Sequence, residues 1–412
     1  MRSQERALLV IPWLTVSLAL FIVGRSTPYP VGYYIGGFFL LGALGHGLLL
    51  ATAPESDQIL FPVVYLLTGL GLAAILRIRP ELAFRQFCWI FLGTIAVGAV
   101  NRFLPWKQLR YWKYSAATGG LTLLFLTALL GEEIGGARRW LDLGPVRFEP
   151  VEPVKILLVI FFAAYLADVR SLLTTSRRRF LGIMLPELRY LGPLLVMWLL
   201  FMFLLVAQKD LGAAFLFFGL FQALLFVATG SLGYLLGGMS LALAGGALAY
   251  RFFSHVRVRV AAWWNPWVRI DGGGYQIAQS LFALGGGGFW GTGWGAGQGA
   301  QAIPAVHTDF IYASLGEELG LLGCGAILFC YYLLLARSIT IAMDQRDDFA
   351  QLLAAGIGFV LAIQVLVIIG GVIKMIPMTG ITLPFISYGG SSLIASYLLV
   401  GILLAVSQGG RA

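Results

Sequence analysis

The segment HTDFIYASLGEELG, residues 307–320, sets His307, Thr308 and Asp309 at the mouth of a long apolar run, with Glu317 and Glu318 inside it. Ionisable groups are costly in hydrocarbon and mark function where they persist. Asp309 precedes a helix expected near Phe310. There an aspartate accepts backbone N–H bonds and complements the helix dipole, which alone accounts for its presence. The alternative use is as a single proton acceptor. On a straight helix Glu317 and Glu318 lie roughly 12 Å along the axis from Asp309. Any carboxylate partner must therefore come from another segment.

EPVEPVK, residues 149–155, offers one. Pro153 suits the first turn of a helix with Glu152 at its cap, and Glu152 and Lys155 share a face three residues apart. They form either a local ion pair or part of a site. QKDLG (208–212) puts Asp210 between two apolar runs, with Lys209 adjacent as a neutralising partner. ARRW (137–140) supplies two neighbouring guanidiniums, Arg138 and Arg139, suited to diphosphate oxygens or to lipid headgroups. GGGGFWGTGWGAGQG (285–299) is a linker, a phosphate cradle or, with Phe289, Trp290 and Trp294, a loop at the membrane interface. IPMTGITLPFISYGGSSL (376–393) mixes Pro, Gly and hydroxyls between two apolar runs, the pattern of a re-entrant or cavity-lining stretch.

The elements that must position these residues are membrane helices. The chain is 59% hydrophobic and 11% charged, with a mean hydropathy of +0.86. Its apolar stretches match single bilayer crossings. Twelve are expected, near 7–23, 31–51, 58–76, 84–100, 114–130, 154–168, 190–207, 211–229, 232–250, 310–336, 350–373 and 390–407. The fold class is an all-α polytopic membrane protein. The first run lacks a small-residue cleavage site and reads as an anchor. Cys88, Cys324 and Cys330 all fall in apolar segments, which argues against a disulfide framework, and His46 reads as a packing residue. No spacing suggests zinc or a nucleotide-binding loop. The net charge of +9 fits lipid phosphates better than nucleic acid.

An even number of crossings puts loops 131–153 and 251–309 on one side, opposite the termini. The basic residues divide evenly between the two sides, so the positive-inside rule gives no orientation by count. The dense short loops RFLPWKQLRYWK (102–113) and RSLLTTSRRR (170–179) favour a cytoplasmic terminal side. The opposite face keeps Arg138, Arg139, Arg147, Arg251, Arg257, Arg259 and Arg269, and a cation-rich external face is unusual unless an anion binds there.

RRWLDLGPVRFEPVEPVK, QKDLG, GYQIAQSLFALGGGG, HTDFIYASLGEELG and LPFISYGGSSL, in this order, resemble the SEDS family of RodA/FtsW/SpoVE-type peptidoglycan polymerases over about 55–407. The resemblance implies a ten-crossing core (55–412) preceded by an added hairpin (1–54). It also implies cytoplasmic termini, external long loops and residence in the bacterial plasma membrane. The implied activity joins lipid II disaccharides into β-1,4 glycan and releases undecaprenyl diphosphate. Implied partners are lipid II, the undecaprenyl-linked nascent glycan, a class B penicillin-binding transpeptidase and membrane lipids. The family's essential aspartate maps onto Asp309, its QPDLG aspartate onto Asp210, and its PSE-x-x-K pair onto Glu152 and Lys155. The same motifs offer His307, Thr308, Gln276, Gln279, Ser387 and Ser391 as supporting polar groups. Departures are Lys209 for proline, Ala305 for glutamate, Ile368 for asparagine, Lys374 for glycine, and Val151 and Pro153 in the PSE stretch. None removes a reacting group, but the elongation, division and sporulation subtypes stay open.

On this reading one inverting displacement suffices. Asp309 is the base, with a pKa that must be raised for the task. Arg138, Arg139 and Lys155 counter the leaving-group charge. A divalent cation, Mg or Mn, is a candidate aid, held by Asp210 and Glu152. A lipid II flippase and a non-catalytic scaffold for the transpeptidase are the alternatives.

Overall fold

A backbone in hydrocarbon must satisfy its own polar groups, and a helix does so within one segment. The computed structural model describes residues 2–409 apart from 26–28, 135–136, 143, 145–146, 176, 181–182, 187 and 271. Among these, twelve helices coincide with the expected crossings: α1 (Ser3–Gly24), α2 (Val31–Thr52), α3 (Leu60–Ile78), α4 (Pro80–Phe103), α5 (Lys113–Leu130), α6 (Val151–Thr175), α7 (Leu188–Ala207), α8 (Leu211–Thr229), α9 (Leu232–Phe252), α13 (Ile311–Asp344), α14 (Asp348–Val372) and α15 (Gly390–Gly409). Eleven are long and apolar enough to span a membrane, and α7 contributes the shorter apolar stretch Leu191–Ala207.

The long segments between crossings are more ordered than their composition suggests. Residues 131–148 carry strands β1 (Glu132–Ile134), β2 (Ala137–Asp142) and β3 (Arg147–Phe148), paired antiparallel in that order. A second two-stranded ribbon is β4 (Arg177–Phe180) with β5 (Ile183–Pro186). The 251–309 loop folds into α10 (Ser254–Trp264), a 3₁₀ turn at Pro266–Arg269, α11 (Tyr275–Gly287) and the single turn α12 (Gly299–Ala302). Helix α6 begins at Val151, so Glu152 lies in its first turn rather than at its cap.

The chain divides into two compact units. The first comprises residues 1–104, 258–337 and 364–412. Within it α4 packs along α15, α1 against α3, and α2 against α1 and α4. His46 is more than packing: its Nδ1 lies 2.6 Å from Oε1 of fully buried Glu5. Glu5 in turn pairs with buried Arg2, whose guanidinium also donates to Ala53 O and Ser56 Oγ. Asp57 accepts the N–H groups of Ile59 and Leu60 at the start of α3 and pairs with Arg337. Buried charges are tolerated when paired and hydrogen-bonded, as these are.

Helix α13 is interrupted at Gly320, with φ 67° and ψ −169°. The Gly-rich segment docks there backbone to backbone. Thr292 N–H donates to Glu317 O at 2.9 Å, Gly293 N–H to Glu318 O at 3.0 Å, and Leu321 N–H to Gly288 O at 2.9 Å. A Cβ at Gly291 (φ 83°) would stand 2.2 Å from Glu318 O, so only glycine fits this approach. The Glu317 carboxylate accepts from Gln298 and Gly299 N–H at 2.9 and 2.7 Å. Arg77 donates to Gly295 O and Gly297 O and lies 3.7 Å from Glu318. The two glutamates at the apolar mouth therefore hold a loop in place, and the glycines serve that docking.

The second unit comprises residues 105–257 and 338–363. Helix α6 is its centre, packed by α5, α7 and α8, and α8 also packs against α9. Phe161, Phe162, Trp198 and Phe221 form an aromatic cluster in its core. Arg110 and Lys113 converge on Asp168.

Candidate active site

In the first unit, Asp309 lies near the end of a run of turns, 304–310, that leads into α13 at Ile311. Thr308 and Asp309 N–H both donate to Ala305 O, at 3.1 and 3.2 Å, and Ala305 adopts φ 54°. The SYGGSS stretch clamps this turn from outside. Ser387 Oγ donates to Thr308 O at 2.5 Å, and Tyr388 N–H donates to His307 O at 2.9 Å. Ser387 Oγ accepts from Leu383 N–H in turn. Residues 376–389 are non-helical, and Arg259 on α10 holds them through Met378 O and Thr379 O at 3.2 and 3.0 Å. Nearby, Lys374 adopts φ 60°. A left-handed backbone at this position gives a physical reason for the glycine that the resemblance places there.

Asp309 is half-buried, as are His307 and Thr308. His307 faces Tyr388 at 6.0 Å between ring centroids. Burial, and then the charge of Arg79, hold its imidazole below the usual range, with Glu81 opposing. Gln276 donates to Pro304 O at 3.4 Å, so it steadies the approach to the turn. Gln279 is half-buried on α11, and Ser391 lies half-buried in the first turn of α15.

In the second unit, a strand separates what the sequence puts side by side. Arg138 and Arg139 lie in β2, where successive side chains leave opposite faces. They are not one double-guanidinium clamp. Arg138 is exposed and lies 3.8 Å from Glu133. Arg139 is half-buried, and its charge acts on Glu149. Lys209 does not neutralise its neighbour either: it pairs with Glu133 at 3.5 Å. Asp210 is 3% exposed and caps α8 by accepting from Ala213 N–H. Lys209 itself has φ 61°, which a proline cannot adopt, so this turn departs physically from a QPDLG turn.

Glu152 and Lys155 form a buried ion pair in the first turns of α6. Glu149 joins them, and sequence reading overlooked it. Burial first, then the Glu152 charge, push its carboxyl up to about 8, with Arg139 and Lys155 opposing and Asp210 adding to the rise. Glu149, Glu152 and Asp210 share the cations Arg139 and Lys155, and a proton on Glu149 brings this group to neutrality. The clue was a third carboxylate immediately before Pro150, at the helix start. Arg79 and Tyr388 were also overlooked. Among the described residues, no three His, Cys, Asp or Glu side chains are grouped to hold a metal ion. With Glu152 on Lys155 and Asp210 on a backbone amide, the donor set does not fit a divalent cation.

Glu149 makes stability depend on pH. Its folded-state pKa is raised, so its contribution is full below the ordinary glutamate range and is lost as pH rises toward about 8. Thermal unfolding in detergent at pH 6 and pH 9 is expected to show a larger loss for the wild type than for Glu149→Gln.

Twelve helices, eleven of them long and apolar enough to cross a membrane, define a polytopic helical membrane protein. The profile described as a cell cycle protein, FtsW/RodA/SpoVE, matches residues 59–411. The peptidoglycan glycosyltransferase RodA of Mycobacterium tuberculosis (strain ATCC 25618 / H37Rv) is 40% identical over 428 residues, covering 100% of this chain and 91% of the relative. The probable peptidoglycan glycosyltransferase FtsW of Tolumonas auensis is 37% identical over 78% of this chain and 82% of its own. A solved chain from a peptidoglycan synthase complex that coordinates polymerization and crosslinking superposes with a TM-score of 0.71 at 29% identity, over 86% of this chain and 98% of that one. The Thermus thermophilus rod shape determining protein RodA gives 0.63 at 28% identity, over 87% and 98%. The chain belongs to the FtsW/RodA/SpoVE family.

Proposed function

We infer that this chain is a peptidoglycan glycosyltransferase that joins lipid II disaccharides into β-1,4 glycan strands and releases undecaprenyl diphosphate. The observation that carries the reading is the 40% identity to a peptidoglycan glycosyltransferase across the whole chain. Residues 1–54 are an added hairpin on a ten-helix core, which accords with a family match that begins at residue 59. The enzyme works at the external face of the bacterial plasma membrane, beside a class B penicillin-binding transpeptidase.

The donor sugar enters with an α-linked diphosphate and leaves in a β bond, so one inverting displacement is enough. The acceptor 4-hydroxyl oxygen bonds to the anomeric carbon as the carbon–oxygen bond to the diphosphate breaks. Asp309 takes the hydroxyl proton, and the diphosphate departs with the electron pair. The clamp of Ser387 and Tyr388 on residues 307–308 fixes where Asp309 stands, and orientation is a large part of a rate enhancement. In the second unit, Arg139 and Lys155 are the cations suited to offsetting diphosphate charge. Protonated Glu149 keeps those cations from being over-neutralised by carboxylates.

The test is purified protein in detergent with lipid II, alone and with a transpeptidase, read as glycan ladders on a gel. Ladders are expected. Transbilayer movement of labelled lipid II without polymer would mean a flippase, and stimulation of the transpeptidase without polymer would mean a scaffold.

A further inference from the structure

A cleft of about 290 Å³ opens in the second unit where β1 and β2 meet the turn between α7 and α8. It is lined by Ala128, Glu133, Arg138, Ala207, Gln208 and Lys209. Its charged groups are arranged around one carboxylate. Glu133 lies 3.8 Å from Arg138 and 3.5 Å from Lys209, through different oxygens. All three side chains are about half exposed, at 48%, 51% and 46%. Ion pairs this long and this wet are weak and are readily exchanged for a stronger anion.

Two further features make the cleft a built site. Gln208 is 1% exposed; its Nε2 donates to Leu124 O at 2.8 Å and its backbone O accepts from Arg138 N–H at 3.1 Å, yet its Oε1 is buried without a partner. A buried acceptor left unsatisfied is costly, and an incoming donor or an ordered water relieves it. Lys209 reaches the cleft from a left-handed backbone at φ 61°. Such conformations are costly for non-glycine residues and cluster at ligand clamps.

We propose that the Arg138–Lys209 cleft binds a diphosphate group, with Glu133 as a resident carboxylate that the ligand displaces. Two cations match the charge of a diphosphate, and Gln208 Oε1 adds an acceptor for a hydroxyl or amide N–H carried on an attached sugar. The identity of the natural ligand as a lipid-linked sugar diphosphate rests on the glycosyltransferase reading above, whereas the site itself does not. The strand alternation of β2 assigns Arg138 to this cleft and leaves Arg139 with the Glu149 group.

The experiment titrates the full-length protein in detergent with farnesyl diphosphate, inorganic pyrophosphate and uncharged farnesol. Binding is read by thermophoresis for the wild type, Glu133→Gln, Arg138→Met and Lys209→Met. Arg138→Met and Lys209→Met are expected to weaken farnesyl diphosphate about tenfold, and Glu133→Gln to tighten it about three- to tenfold. A gain from removing a carboxylate separates displacement from a structural ion pair, whose loss would leave affinity unchanged or lower. Pyrophosphate that follows the same order of variants supports the site. Equal affinity for pyrophosphate and farnesyl diphosphate then marks a free anion as the ligand, and tighter farnesyl diphosphate marks a lipid headgroup. Unchanged affinity in all three variants, or farnesol binding as well as its diphosphate, overturns the proposal. Absence of glycan from lipid II with this pattern of probe binding intact would overturn the glycosyltransferase reading and leave the cleft standing.

Discussion

Asp309→Asn is expected to reduce glycan synthesis from lipid II by about 10²- to 10⁴-fold, the range that general-base catalysis supplies. The substitution keeps the shape of the side chain and removes its proton-accepting capacity. The local fold should survive, because the contacts that clamp this turn from the SYGGSS stretch run through Thr308 O and His307 O. The variant should therefore extract, purify and unfold thermally like the wild type. That pairing separates catalysis from stability. Wild-type glycan ladders from purified Asp309→Asn would end the assignment of the base. Loss of activity together with early unfolding would reduce Asp309 to a structural residue. Ser387→Ala gives a graded comparison, since it removes one side of the clamp and spares the carboxylate.

The second large effect is on stability. Lys155→Met removes the partner of Glu152, and both side chains are buried, at 1% and 6% exposure. Breaking a buried pair by deleting one member typically costs about 3–5 kcal/mol, because the remaining charge is desolvated and uncompensated. A marginally stable protein registers a loss of that size as a clear drop in thermal midpoint. The double variant Lys155→Met/Glu152→Gln should recover much of the loss, since removing both charges also removes the desolvation penalty. Midpoints of the two single variants and the double variant in one detergent check this. Additive losses would show that the two side chains do not act as a pair. Activity should remain low in the two variants that lack Lys155, because that side chain also offsets diphosphate charge, so stability and catalysis are read separately.

The glutamates and glycines that share the membrane mouth show how composition can point to the wrong use. A Gly-rich run beside carboxylates suits a phosphate cradle in isolation. In the fold, Glu317 binds the amides of Gln298 and Gly299, and the loop lies backbone to backbone along the break at Gly320. Those amides are already occupied by protein. Asp309, eight residues before Glu317, stands apart from this arrangement in a turn with different partners.

Much of this protein is determined by its sequence alone. The twelve apolar runs coincide with helices because hydrocarbon leaves a backbone no other partner than itself, and that demand is local. The family signature is likewise a matter of order and spacing along the chain. Tertiary structure decided the pairings. Ser387 meets Thr308 across 79 residues, and Lys209 turns from its neighbour Asp210 to Glu133. The pleat of a short strand sends Arg138 and Arg139 to opposite faces. Glu149 acquires its raised pKa first from burial and then from the Glu152 charge, with Asp210 on another segment adding to the rise. Such effects depend on distance in space and on exclusion of water, neither of which is encoded in the spacing of neighbouring residues. The sequence named the residue types able to do the chemistry, and packing decided which of them keep company.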